Sequence, residues 1–157
     1  MATKKPTAKP TAIVNRRARF DYALGDELEV GIVLTGRETR AARDGHIQLK
    51  GAFVSLRDNE LWLNNASFSI KLNERGHPGA RTIDTAPRKL LAHRKQISEL
   101  ATHKQTGMTI VPLRFKTAGK HIKLVIALGK GKKKYDKRET IKRRDQDRDT
   151  KRALKSY

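Results

Sequence analysis

The chain contains no cysteine. No disulfide framework can staple it, and no thiolate can serve as metal ligand. No apolar run approaches the length that crosses a membrane as a helix. The segment Met1 to Thr11 consists mainly of Lys, Pro, Thr and Ala, without the hydrophobic stretch of a secretory signal. These absences together point to a cytoplasmic protein. Aromatics are few: four Phe, three Tyr and one Trp in 157 residues. Acidic side chains are also scarce, 16 against 36 Lys and Arg, which leaves a formal net charge of +20.

Signatures of catalysis are missing too. The five histidines, His46, His77, His93, His103 and His121, are scattered and none stands at metal-ligand spacing beside an acid. Gly129 and Gly131 follow a strand-like run but open into lysines, without the third glycine or the Ser/Thr of a phosphate-binding loop. Carboxylate pairs in the central region are few. The sequence argues against an enzyme, a metal or a cofactor.

What the chain has in abundance is positive charge, unevenly placed. Residues 1–19 carry a net +6, residues 20–129 a net +6 over a far longer span, and residues 130–157 a net +8. Basic ends flanking a milder middle suit arms that grip a phosphate backbone. The length allows one domain. The expected organisation is a disordered extension over residues 1–12, a core domain over 13–129 and a basic tail over 130–157. The tail opens with Gly129-Lys130-Gly131-Lys132-Lys133-Lys134-Tyr135-Asp136-Lys137-Arg138-Glu139 and has few apolar residues beyond it. It is expected to be disordered alone and helical on a partner. Glu139 with Arg143 and Asp147 with Lys151 would support such a helix at i,i+4.

In the core domain, Leu28, Val30, Ile32 and Leu34 alternate as in a strand with one buried face. Arg37 to Arg43, closed by Asp44-Gly45, reads as a short helix. Ile47, Leu49, Ala52, Val54 and Leu56 read as strand, with Gly51 a candidate bulge. Asp58-Asn59 signals a hairpin. Leu61 and Leu63 follow, with Phe68 and Ile70 as an extension of the run. Asn73 to Pro87 reads as a mobile loop. Arg88 to His103 reads as one amphipathic helix with a basic face. Ile110 to Phe115 and Ile122 to Leu128 form two strands joined through Thr117 to Lys120, with Pro112 demanding an edge or a bulge. Phe53, Phe68 and Phe115 are expected in the core. The fold expected is mainly β: a small closed antiparallel barrel with flanking short helices.

Four ordered segments carry a family resemblance. Asn15-Arg16-Arg17-Ala18-Arg19-Phe20-Asp21-Tyr22 resembles the N-terminal motif of the SsrA-binding protein (small protein B) family. Gly31 to Glu38 with Arg43-Asp44-Gly45, then Arg88-Lys89-Leu90-Leu91, then Lys130 to Glu139 resemble its next three signatures. The similarity runs from about Val14 to Leu154. It implies a barrel of the oligonucleotide-binding type. It also implies an RNA-binding adaptor of trans-translation that delivers transfer-messenger RNA (tmRNA) to stalled ribosomes. Its body would hold the tRNA-like domain, and its tail would enter the empty mRNA channel near the decoding centre, against 16S ribosomal RNA. The other reading of the residues is a basic ribosomal or general single-strand RNA-binding protein. On the adaptor reading, the RNA-binding residues would be Arg16, Arg17, Arg19, Tyr22, Glu38, Arg43, Arg88, Lys89, Leu91 and Lys123. The ribosome-contacting tail would use Gly131, Lys132, Lys133, Lys134, Tyr135, Asp136, Lys137 and Arg138, with Tyr135 stacking on ribosomal RNA. Glu38 could meet a base or orient a neighbour such as Arg37 or Arg43. The chain departs from the family where Phe20 replaces the usual His, at Thr39 to Ala41, and at Ser67 to Lys71.

Overall fold

The computed structural model describes residues 12–72, 79–104 and 106–155. The N-terminal extension lies outside them except for Ala12, as do the first six residues of the expected 73–87 loop. A one-turn helix, α1 (Ala18–Asp21), leads into a long strand, β1 (Tyr22–Ile32). Helix α2 (Gly36–Arg43) follows, then β2 (Ile47–Gln48), β3 (Phe53–Arg57), β4 (Glu60–Asn64) and β5 (Ser67–Lys71). The remaining elements are β6 (Arg81–Asp84), β7 (Arg88–Leu91), α3 (Arg94–His103), β8 (Met108–Lys116), β9 (Lys123–Gly131) and α4 (Lys134–Lys155).

Six strands close an antiparallel barrel in the order β1-β7-β4-β3-β8-β9, and β2-β5-β6 form a separate small sheet. Closure removes the unpaired edges that short strands would otherwise present. The expected barrel is therefore present, built on the expected hairpins. Asp58 and Asn59 both take positive φ in the β3–β4 turn, as a tight hairpin matched to strand twist requires. Pro112 lies inside a strand paired on both sides, but at a shift of register with β9 between Pro112 and Arg114. The bulge accommodates the missing N–H.

Alternating side chains fill the barrel: Val30, Val54, Leu61, Leu63, Leu90, Ile110, Leu124 and Ile126 all belong to one buried cluster. The intervening residues of β9, Val125 and Ala127, are buried as well, against Ala18, Val111 and Leu113 on the outside. The N-terminal arm makes that second layer. Asn15 N–H donates to the Leu113 carbonyl at 2.7 Å, and Phe115 N–H donates to that of Ile13 at 3.0 Å. This covering explains why Leu124 to Leu128 is apolar without alternation.

Several expectations are corrected. Arg88 to His103 is not one helix. Arg88 to Leu91 is strand β7, paired to β4 through Leu61↔Leu90 and to β1 through Ile32↔Leu90. Ladder pairing on both sides and burial of Leu90 outweigh a helical pattern that is satisfied only from Arg94 onward. There, His93 N–H donates to the Gln96 side chain at 3.0 Å and starts α3. Phe68 and Ile70 do not extend β4 but belong to the second sheet, whose strand β6 lies inside the segment expected to be loop. Gly51 is a turn residue at φ 74° rather than a strand bulge. Phe53 is 46% exposed, whereas Phe68 and Phe115 are buried as expected, ring centroids 6.2 Å apart and edge to face. β1 begins at Tyr22 and ends before Leu34, and β9 runs on through Gly131.

Candidate nucleic-acid interface

Helix α2 is anchored by its third residue. Thr35 Oγ1 accepts from the Glu38 N–H at 3.4 Å, and Glu38 Oε2 accepts from the Thr35 N–H at 2.8 Å, a reciprocal cap that serves two otherwise unpaired donors. The other carboxylate oxygen, Oε1, accepts from Arg88 Nε at 3.0 Å and Nη2 at 2.8 Å. Arg88 also pairs with Asp84 at 3.0 Å, and its guanidinium lies 3.9 Å from the centre of the Phe68 ring. Glu38 and Arg88 are only 8% and 5% exposed. The two expected RNA-surface residues thus lie beneath the surface, paired with each other. Glu38 does orient an arginine, but it is Arg88, fifty positions away in sequence, and neither Arg37 nor Arg43. This network joins α2, the barrel strand β7 and the small sheet.

Arg43 leaves α2 in another direction. Its guanidinium donates to the carbonyls of Thr117, Gly119 and Lys120 at 3.1–3.3 Å, tying the helix to the β8–β9 hairpin. Lys89 pairs with Glu60 at 2.5 Å. Lys123 shares Glu29 with Lys116, its own contact being 2.9 Å. Hydrogen bonds from Lys116 and then from Lys123 hold the Glu29 carboxyl at about 2, below its ordinary 4.5. Leu91 is 52% exposed at the barrel rim, beside Gly31.

The arm and the tail meet. Arg16, Arg17 and Arg19 lie along the arm, all three exposed. Tyr22, half-buried, packs on the outer cluster and pairs with Gly131. Lys132 N–H donates to the Asp21 carbonyl at 2.9 Å, and its ammonium donates to that of Arg19 at 3.0 Å. Lys137 pairs with Asp21 at 3.1 Å. The Phe20 ring lies 5.9 Å from both Lys137 Nζ and Arg144 Cζ. An aromatic face attracts two cations that a protonated imidazole would repel, a physical consequence of Phe standing at this position.

Asp136 accepts from the Lys133 N–H at 3.3 Å and so helps start α4. Tyr135 is 69% exposed, and its hydroxyl donates to Glu139 at 3.3 Å. Lys133, Lys134 and Arg138 point no charge at an acid in any ion pair of the described residues. The expected pairs Glu139–Arg143 and Asp147–Lys151 do not form there either. Helix α4 has no buried residue. It presents a cationic rod with one exposed ring near its root.

The sequence reading missed a group on the other side of α2. Arg37 and Arg40 line a groove with Lys71 and Arg81 of the small sheet. Arg37 and Arg40 stand three apart in a helix, hence on neighbouring positions of one face. That spacing was the available signal.

A family model described as SmpB protein matches residues 12–156. The SsrA-binding protein of Enterococcus hirae is 45% identical over 146 residues, covering 91% of this chain and 92% of the relative. That of Rhodopseudomonas palustris is 43% identical over 161 residues, covering 99% of each. Among solved structures, a chain from "tmRNA-SmpB: a journey to the center of the bacterial ribosome" superposes with a TM-score of 0.60 at 33% identity. The match covers 83% of this chain and 94% of that one.

Proposed function

Because this chain belongs to the SmpB protein family, we propose that it is an RNA-binding adaptor of trans-translation. It binds the tRNA-like domain of tmRNA with its body and brings that RNA to stalled ribosomes. The observation that carries this reading is the extent of the family match, which spans the barrel and the tail without interruption. The geometry supports this division of labour. The barrel is complete at Gly131, and α4 leaves it as an arm without a buried residue. A rod of this charge fits a narrow channel walled by RNA phosphates. Tyr135, exposed near its start, supplies a ring for stacking on a base. Glu38 and Arg88 act from below, setting the angle of α2 against β7, while Lys123, Leu91 and the arginines of the arm contribute surface.

The tail helix opens when no RNA holds it. Its contacts with the body run from Lys132 to Arg144, and Ile141 and Leu154 are its large exposed apolar side chains beside Tyr135. Rapid amide exchange across Lys137 to Arg152 in the free protein supports this; slow exchange would refute it.

The test separates body from tail. Removing residues 132–157 leaves every barrel strand whole. The truncated protein should keep its preference for a folded tRNA-like RNA over a homopolymer of equal length, and should lose ribosome rescue. Equal loss of affinity for both RNAs would make the tail a mere polycation and sink the adaptor reading.

A further inference from the structure

The excess cations of the body are not spread evenly. On the barrel, Lys89 pairs with Glu60, Arg114 pairs with Glu27, and Lys116 and Lys123 share Glu29. In the groove between α2 and the small sheet the balance differs. Arg37, Arg40, Lys71 and Arg81 line a groove of about 610 Å³ together with Thr35, Asp44 and Ser69. None of the four cations belongs to an ion pair among the described residues. Arg81 donates to the Ser69 carbonyl at 3.2 Å, a neutral partner. Asp44, the one acid among the described residues of the lining, pairs with none of them. Four like charges held around one concavity repel one another, and an anion relieves that repulsion.

We propose that this groove is an RNA phosphate-binding site, in which Arg37 and Arg40 from α2 and Lys71 and Arg81 from the small sheet take successive phosphodiesters. The proposal rests on the adaptor reading and adds a surface to it. Arginine suits phosphate by its forked donors. Helix α2 is locked to the barrel through Glu38–Arg88 and to the hairpin through Arg43, so the cations on it are placed before RNA arrives.

The experiment measures affinity of the full chain against salt, with an isolated tRNA-like RNA and with ribosomes as separate arms. The triple variant Arg40→Gln, Lys71→Gln, Arg81→Gln should lower the log–log slope by roughly 2–3, since each phosphate contact contributes about 0.7–0.9. The double variant Arg37→Lys, Arg40→Lys keeps the charge and should keep most of the slope. Asp44→Asn removes the competing negative charge and should tighten binding. Arg37, Arg40, Asp44, Lys71 and Arg81 are all exposed, and unchanged thermal melts establish that each variant is folded. A slope that falls in the tRNA-like arm assigns the groove to that RNA; one that falls only with ribosomes assigns it to ribosomal RNA. An unchanged slope in both arms overturns the proposal. A wild-type chain that fails to prefer the tRNA-like RNA over a homopolymer instead overturns the adaptor reading, which is a separate result.

Discussion

Replacing Arg88 by Ala is the most informative single perturbation of this molecule. The buried guanidinium donates to Glu38 from two nitrogens, pairs with Asp84 and covers the face of Phe68. Its removal leaves the Glu38 carboxylate buried with the Thr35 N–H as its remaining hydrogen-bond donor. Breaking a buried pair from one side costs about 3–5 kcal/mol. That is a large share of the roughly 5–15 kcal/mol that holds a domain folded. Glu38→Gln should cost less. The amide oxygen can still accept from Arg88 or from Thr35 but not from both, and Arg88 keeps Asp84. The double variant Glu38→Gln, Arg88→Ala should fall short of the sum of the singles, with a coupling of about 1–3 kcal/mol. Urea unfolding followed by circular dichroism gives the stabilities. Salt titration of RNA binding gives the second readout. A buried positioning role predicts weaker binding at an unchanged salt slope under conditions where the variant is folded. Loss of less than about 1 kcal/mol, below the range for a broken buried pair, together with a slope reduced by about 0.7–0.9, would refute the reasoning. Arg88 would then be a direct phosphate contact.

The remaining predictions concern the barrel surface and the tail. Gly129→Ala places a Cβ 3.0 Å from that of Tyr22 and 3.2 Å from Val111 Cγ2, both fixed on strands, and should destabilise by about 1–3 kcal/mol in chemical denaturation; wild-type stability would contradict the close approach of β1 and β9. Glu29 has a folded pKa below its unfolded one, so its pairing with Lys116 and Lys123 stabilises at pH above about 4.5 and is lost as the pH falls toward about 2. Melting temperatures of wild type and Glu29→Gln should therefore converge across that window, and a constant gap would count against the pairing. Tyr135→Ala should stop ribosome rescue while leaving affinity for the tRNA-like RNA unchanged, because the exposed ring bonds to Glu139 of its own helix rather than to the barrel; retained rescue would remove the stacking role.

Much of the molecule was legible in the residues because the relevant forces are local or cumulative. Alternation along Leu28 to Ile32, the Asp58-Asn59 turn and the Pro112 bulge announced a barrel, since period, turn chemistry and a missing N–H act within a few positions. The charge on the two ends announced a polyanionic partner, since net charge needs no fold to be counted. Tertiary structure alone decided the rest. Arg88 to Leu91 became a strand because β1 and β4 offered partners on both sides. Val125 and Ala127 became core because the arm folded over them. Glu38 and Arg88, fifty positions apart, became one buried pair. Lys89 and Lys123 met acids, while Arg37, Arg40, Lys71 and Arg81 gathered around a groove without pairing to an acid among the described residues. Composition sets how much charge a chain carries; only the meeting of distant segments decides which charges are cancelled and which remain for a partner.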